Sequence, residues 1–269
     1  MNKPRLWPVF VTFVVAVLAA QVAAMLVMVI HFGRRLREAE PDAHVQIVGG
    51  LVTYAILLAL TLLTARPLTR ARLGLVPGRA RPLDALIATV GLIALGTVID
   101  SVGMLAGVYE GSALGGFKRL IEGATRPQLG GLLFSLCLLP GLCEELFFRG
   151  LVQTRLAQRW RPITAVVVTS ACFGLWHLDP FQSTEAFFLG LGLGYVAVRT
   201  GSIWPGIVAH VVNNAANVLF QALGLVSAAL LPNLAWGAVG LVLFVLCLMA
   251  FRRRPPLPAA EPVAVSAVQ

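Results

Sequence analysis

The sequence predicts an all-α protein, a polytopic transmembrane helical bundle of about eight spans. Three observations lead there. Of the 269 residues, 58% are hydrophobic and only 12% are charged, against about 25% charged in a soluble domain, and the mean hydropathy is +0.85. The apolar residues come in long continuous runs, unlike the alternating strands of about 10 residues in a membrane β-barrel. Lys and Arg gather in alternate loops, as the positive-inside rule requires of a multi-pass chain.

Taken in order, the expected spans are 7–31, 46–65, 83–108, 129–148, 163–178, 184–199, 203–224 and 234–251. The start, Met1-Asn-Lys-Pro-Arg5, imitates a signal peptide, but its apolar run extends from Trp7 to His31. That exceeds the 7–15 residues of a cleavable segment, so it reads as a retained first span. The second and third spans flank a loop with Arg66, Arg70, Arg72, Arg79 and Arg81. The stretch from Tyr109 to Gln128 mixes Gly, Ser and charges without a clear apolar stripe, and predicts at most an interfacial helix. The fifth and sixth spans are short, bounded by His177-Leu-Asp-Pro180 and Arg199-Thr-Gly201. After Arg252 the tail is proline-rich and predicts disorder. The chain divides into three spans with their loops (1–128), a core (129–224), a last span (225–251) and a cytoplasmic tail (252–269).

With eight spans, fifteen of the 21 Lys and Arg fall on one side, which is then cytoplasmic and holds both termini. The net charge of +9 therefore reflects membrane topology and gives no reason to expect nucleic acid. A multi-pass protein of the inner (plasma) membrane is expected. Nineteen Arg against two Lys, with abundant Ala, Gly and Leu, suggest a GC-rich bacterial source. The four cysteines sit inside apolar runs without metal-type spacing and read as small reduced core residues.

Chemistry enters at Leu139-Pro-Gly-Leu-Cys-Glu-Glu-Leu-Phe-Phe-Arg-Gly150, at the end of the fourth apolar run. An acidic residue at the centre of a membrane helix costs about 2.5–3.5 kcal/mol, so two adjacent ones need partners or a task. Glu145 and Arg149 are i and i+4 and pair on one helix face. Glu144 is rotated about 100° away and faces something else. A buried ion pair locking helices is the plain structural alternative. Two of the four histidines also fall in apolar helices. His177 closes Phe173-Gly-Leu-Trp-His177, and His210 shares a face with Asn214 in His210-Val-Val-Asn-Asn214. Singly, each reads more simply as helix-to-helix hydrogen bonding. Asp100, in the third span, is either such a residue or a cavity liner.

Together they offer two hydrolytic schemes. A carboxylate and a histidine can polarise a water, while a second His and an Asn donate to an oxyanion. Alternatively, two His and a Glu, here Glu144, His177 and His210, match the ligands of a catalytic Zn2+ with an open position. Pro140-Gly141, one turn before Glu144, would open the helix and admit water.

The pattern Glu144-Glu145-x-x-x-Arg149, Phe173-x-x-x-His177, His210-x-x-x-Asn214 resembles the three-motif signature of the CPBP family. That family groups type II CAAX prenyl endopeptidases with bacterial bacteriocin-processing and immunity-type (Abi) membrane proteases. The resemblance covers about 129–224, and no member of the motif set is missing. It implies that Glu144 is the general base, assisted by His177, that His210 and Asn214 hold the oxyanion, and that Glu145 and Arg149 orient the site. The family name often carries the word metalloprotease, yet a metal-free glutamate mechanism is also attributed to it. The His-Glu-x-x-His spacing of a strong zinc site is absent here, which favours the metal-free scheme. The expected activity is an intramembrane endopeptidase acting on a membrane-associated peptide or protein; a prenylated substrate is not implied for a bacterial chain. The alternatives are a noncatalytic scaffold or immunity protein, and a proton-coupled transporter using the buried carboxylates and histidines as a relay. Paired broken helices would favour transport, and only one such break lies near a charge.

Overall fold

The computed structural model describes residues 5–38, 41–224 and 229–253, and the regular structure among them is helical throughout. Nine helices follow in order: α1 (Trp7–Phe32), α2 (Ala43–Thr64), α3 (Pro82–Leu105), α4 (Ala113–Glu122), α5 (Arg126–Ala157), α6 (Pro162–His177), α7 (Pro180–Thr200), α8 (Trp204–Ala222) and α9 (Leu230–Arg252). Proline punctuates the starts of α3, α5, α6, α7 and α8, entering within the first two positions. There its missing N–H costs nothing, since those N–H groups have no intrahelical acceptor. Asp42 and Asp179 cap α2 and α7, accepting from Val45 N at 2.9 Å and Gln182 N at 2.8 Å.

All eight expected spans are helical. Five helices, α1, α2, α3, α5 and α9, are long and apolar enough to cross a membrane, and α6 is apolar but only 16 residues long. The chain is thus a multi-pass membrane protein. α7 and α8 fall outside the five because polar side chains such as Glu185, His210, Asn213 and Gln221 turn inward and dilute their apolar character. The proline-rich tail, which the sequence reads as disordered, lies outside the described residues from 254 onward.

The fourth span departs from expectation. The sequence ends it near residue 148, with the glutamates at its edge. Instead α5 runs for 32 residues to Ala157, so Glu144 sits within the helix. Pro140 does not break it. Two π-helical stretches, Phe134–Leu138 and Glu145–Gln153, flank a short α segment. In an α-helix the residue 140 N–H would bond Leu136 O, which Pro140 cannot do. The wider turn relieves the ring clash, and Leu136 O accepts from Asn214 Nδ2 at 3.2 Å. The expected opening of the helix is therefore a change of helical winding that joins α5 to α8.

This also removes a conflict over depth. A site near the end of the fourth span would leave His177 at the wrong level. With Glu144 inside α5, the 16 residues of α6 run back along its second half and return His177 to the level of Glu144. α5 is the centre of the bundle, held by α2, α6 and α8, with Phe147, Phe148, Leu151, Phe173 and Trp176 in one core. The rings of Phe148 and Phe173 meet edge-on at 5.1 Å. α3 packs against α7, α8 and α9. The outer faces of α1 and α9 present apolar side chains, with Ile30 82% and Leu231 77% exposed, as expected where lipid is the solvent. α4, the weakly signalled interfacial helix, turns Leu114, Phe117 and Ile121 inward along one face.

Candidate active site

Glu145, Arg149 and Gln153 recur every four residues along α5; Arg149 and Gln153 reach α7, and Glu145 reaches α8. Arg149 Nη1 donates to Glu145 Oε1 at 2.7 Å, with both side chains fully buried. Its Nη2 donates to Gly190 O at 3.2 Å, and the guanidinium stacks 4.4 Å from the Phe173 ring centre. One turn on, Gln153 Nε2 donates to Gly194 O at 3.1 Å. Gly194 makes this approach possible, because a Cβ there would stand 2.7 Å from Gln153 Oε1 and 2.9 Å from Val166 Cγ1. Small residues four apart let helix backbones come close in a membrane. The ion pair the spacing predicts is thus one part of a strap between two helices.

Glu144 lies on a different face and is 1% exposed. Its Oε1 accepts from Tyr54 OH at 3.0 Å and from Trp176 Nε1 at 3.1 Å. That oxygen is saturated by donors from α2 and α6. The second oxygen, Oε2, looks at His210 Nε2 across 3.7 Å. The other nitrogen of His210, Nδ1, lies 3.1 Å from Glu145 Oε1. A carboxylate only accepts, so Nδ1 carries a hydrogen. A bare Nε2 would then oppose a carboxylate oxygen, acceptor against acceptor. The 3.7 Å between them exceeds a direct hydrogen bond and suits a water reaching both. Glu145 therefore holds both Arg149 and His210, and Gly206 on α8 leaves it room: a Cβ there would sit 3.0 Å from Glu145 Oε2.

His177 Nδ1 lies 3.0 Å from Phe173 O. The carbonyl can only accept, so this nitrogen is the donor and a neutral ring keeps Nε2 as a free acceptor. Asn214 uses one Nδ2 hydrogen on Leu136 O, and its Oδ1 accepts from Asn213 Nδ2 at 3.4 Å, which leaves its second amide hydrogen. Glu144, His177, His210 and Asn214 line one cavity of about 400 Å³. Glu145 and Arg149 stand behind it, out of contact with the space. The sequence-derived residues thus come together in two layers, and Asp100 belongs to neither.

The zinc scheme is not supported by this arrangement. Among the described residues no three His, Cys, Asp or Glu side chains are grouped so as to hold a metal ion. His210 gives Nδ1 to Glu145, and Glu144 gives one oxygen to two donors. All four cysteines are free thiols.

Sequence reasoning missed Tyr54, Trp176 and Gln153. Gln153 continues the four-residue spacing of Glu145 and Arg149, a usable signal. Trp176 precedes His177, and nothing local marks it. Tyr54 is 90 residues from Glu144 in the chain, and only tertiary structure joins them.

Residues 127–216, about a third of the chain, match the family model described as Type II CAAX prenyl endopeptidase Rce1-like. The match covers all three motifs, and the family is the protease family whose signature the sequence resembles. No curated protein and no solved structure matches the chain.

Proposed function

We propose that the chain is an intramembrane endopeptidase that hydrolyses a peptide bond in a membrane-associated protein or peptide, with Glu144 activating the water. The observation that carries this reading is Glu144 Oε2 opposite His210 Nε2 at 3.7 Å, on a cavity also lined by His177 and Asn214. A water there meets a carboxylate whose other oxygen is already saturated. Glu144 takes one proton as the water oxygen attacks the peptide carbonyl carbon, and His177 Nε2 accepts from the same water to aim it. The C–O bond forms, the carbonyl electrons move to oxygen, and the oxyanion meets donors from His210 and Asn214. Collapse breaks the C–N bond, and Glu144 returns its proton to the leaving amine.

Glu145 and Arg149 are positioning residues in this scheme: Glu145 fixes the His210 ring, and Arg149 holds Glu145. The low-dielectric surroundings strengthen each of these interactions. The catalytic core spans 129–224, with Tyr54 added from α2. The protein sits in the plasma membrane with both termini cytoplasmic, on the charge distribution of its loops. The test compares the membrane proteome of cells carrying wild type and Glu144→Ala. Peptides ending at a defined bond are expected only with the wild type. Identical peptide sets at equal protein levels would end the protease reading.

A further inference from the structure

The cavity has a second acidic end. Glu185, near the start of α7, lines it, is 5% exposed, and makes no hydrogen bond or ion pair among the described residues. Behind it stands Asp100 of α3, close enough for the two carboxyl groups to interact, with Oδ1 buried and unpartnered. Gly96, one turn before Asp100, locates this end: its missing Cβ would lie 3.7 Å from both Glu185 Oε1 and Asn213 Oδ1. Asn213 is in turn three residues from His210 on α8, so Glu185 stands about one helical turn from the proposed chemistry. Around it lie the amides of Gln182, Asn213, Asn217 and Gln221. Gln221 is 6% exposed, spends Nε2 on Tyr109 OH at 3.4 Å, and leaves Oε1 buried without a partner. Burial, with Asp100 and then Glu185 nearby, pushes the Tyr109 phenol up, so it stays neutral.

Among the described residues no Lys or Arg lines the cavity, whereas Glu144 and Glu185 both do. Two carboxyl groups kept together out of water without a counter-charge are costly. The acceptors here, Glu185, Asp100 Oδ1 and Gln221 Oε1, face only neutral amide and hydroxyl donors among the described residues of the cavity. What this end lacks is a donor that carries positive charge.

We infer that Glu185, backed by Asp100 and Gln221, forms a specificity subsite that receives a basic side chain, Lys or Arg, of the peptide to be cut. The inference rests on the endopeptidase reading and names its substrate class: a membrane segment with a basic residue about one turn from the scissile bond. The subsite lies toward the end of the bundle capped by α4, away from the arginine-rich loop between α2 and α3. The basic side chain neutralises the acidic pair on arrival, and substrates without one leave the pair uncompensated.

The test uses the full-length protein in lipid nanodiscs. Synthetic transmembrane peptides carry Lys, norleucine or Glu at one position, scanned residue by residue about the centre. Binding is measured to the Glu144→Gln protein, so no turnover is needed. At one register the Lys peptide should bind at least about tenfold tighter than the norleucine peptide. Adding Glu185→Gln should bring that ratio to about one. Asp100→Asn should lower it several-fold, and serves if Glu185→Gln fails to fold. Equal binding of Lys and norleucine peptides at every register, or a ratio unchanged by both variants, overturns the subsite. Cleavage of the same peptides by wild type is scored separately. Charge-dependent binding without any cleavage would sink the endopeptidase reading and leave the subsite. Cleavage without charge preference would sink the subsite alone.

Discussion

Replacing Glu145 by Gln isolates what the buried ion pair contributes. Arg149 is fully buried and meets Glu145 Oε1 at 2.7 Å, Gly190 O at 3.2 Å and the Phe173 ring at 4.4 Å. Only the first carries a full negative charge in direct contact. The Gln amide oxygen can still accept from Nη1, so the hydrogen bond survives and the charge balance does not. Removing one partner of a buried pair costs about 3–5 kcal/mol, and retention of the hydrogen bond puts this change near the lower end. For a chain of this size that is a fall in Tm on the order of 10 °C. His210 loses its anionic anchor at 3.1 Å in the same step, so any activity should fall as well. The assay is thermal unfolding of the detergent-solubilised variant beside wild type, with Glu145→Gln/Arg149→Met as the second arm. The double variant should recover part of the lost Tm, since no charge is then left alone. A Tm of Glu145→Gln equal to wild type would refute the argument that this pair straps α5 to its neighbours.

Tyr54→Phe removes one of two donors to Glu144 Oε1 while leaving the ring in place; a hydrogen bond to a charged group is worth about 1.5–3 kcal/mol. Cleavage should fall roughly tenfold or more, with Tm lowered by about 5 °C; unchanged cleavage would remove Tyr54 from the site. Gly194→Leu places a side chain where a Cβ alone would be 2.7 Å from Gln153 Oε1. It should separate α7 from α5 and destabilise the fold by about 1–3 kcal/mol, which a thermal scan measures. A stable Gly194→Leu protein would show that the helices tolerate a wider gap.

The helices were legible in the sequence because lipid forces long apolar runs into helices that satisfy their own backbone. Glu145 and Arg149 were legible because helical spacing puts i and i+4 together. His177, His210 and Asn214 stood out as polar side chains in apolar company. The length of α5 was not legible, since Arg149 and Gln153 resemble the entry into a loop when their partners on α7 are unseen. The π turns were equally hidden: Pro140 announces a disturbed ladder, but whether a helix breaks or rewinds depends on what can bond Leu136 O. That acceptor's partner is Asn214, 78 residues on. Glu185 and Asp100 lie in separate apolar runs, and only the packing of α3 against α7 brings them together.

The central claim is that Glu144 works as a base and is not kept for structure. Glu144→Gln retains the size of the side chain and an oxygen to accept from Tyr54 and Trp176, but it cannot take a proton from water. The measurement is turnover of an identified substrate by purified wild type and Glu144→Gln, with Tm recorded on the same samples. The account predicts a loss of roughly 10² or more in turnover with Tm close to wild type. Full turnover by a well-folded Glu144→Gln protein would contradict it.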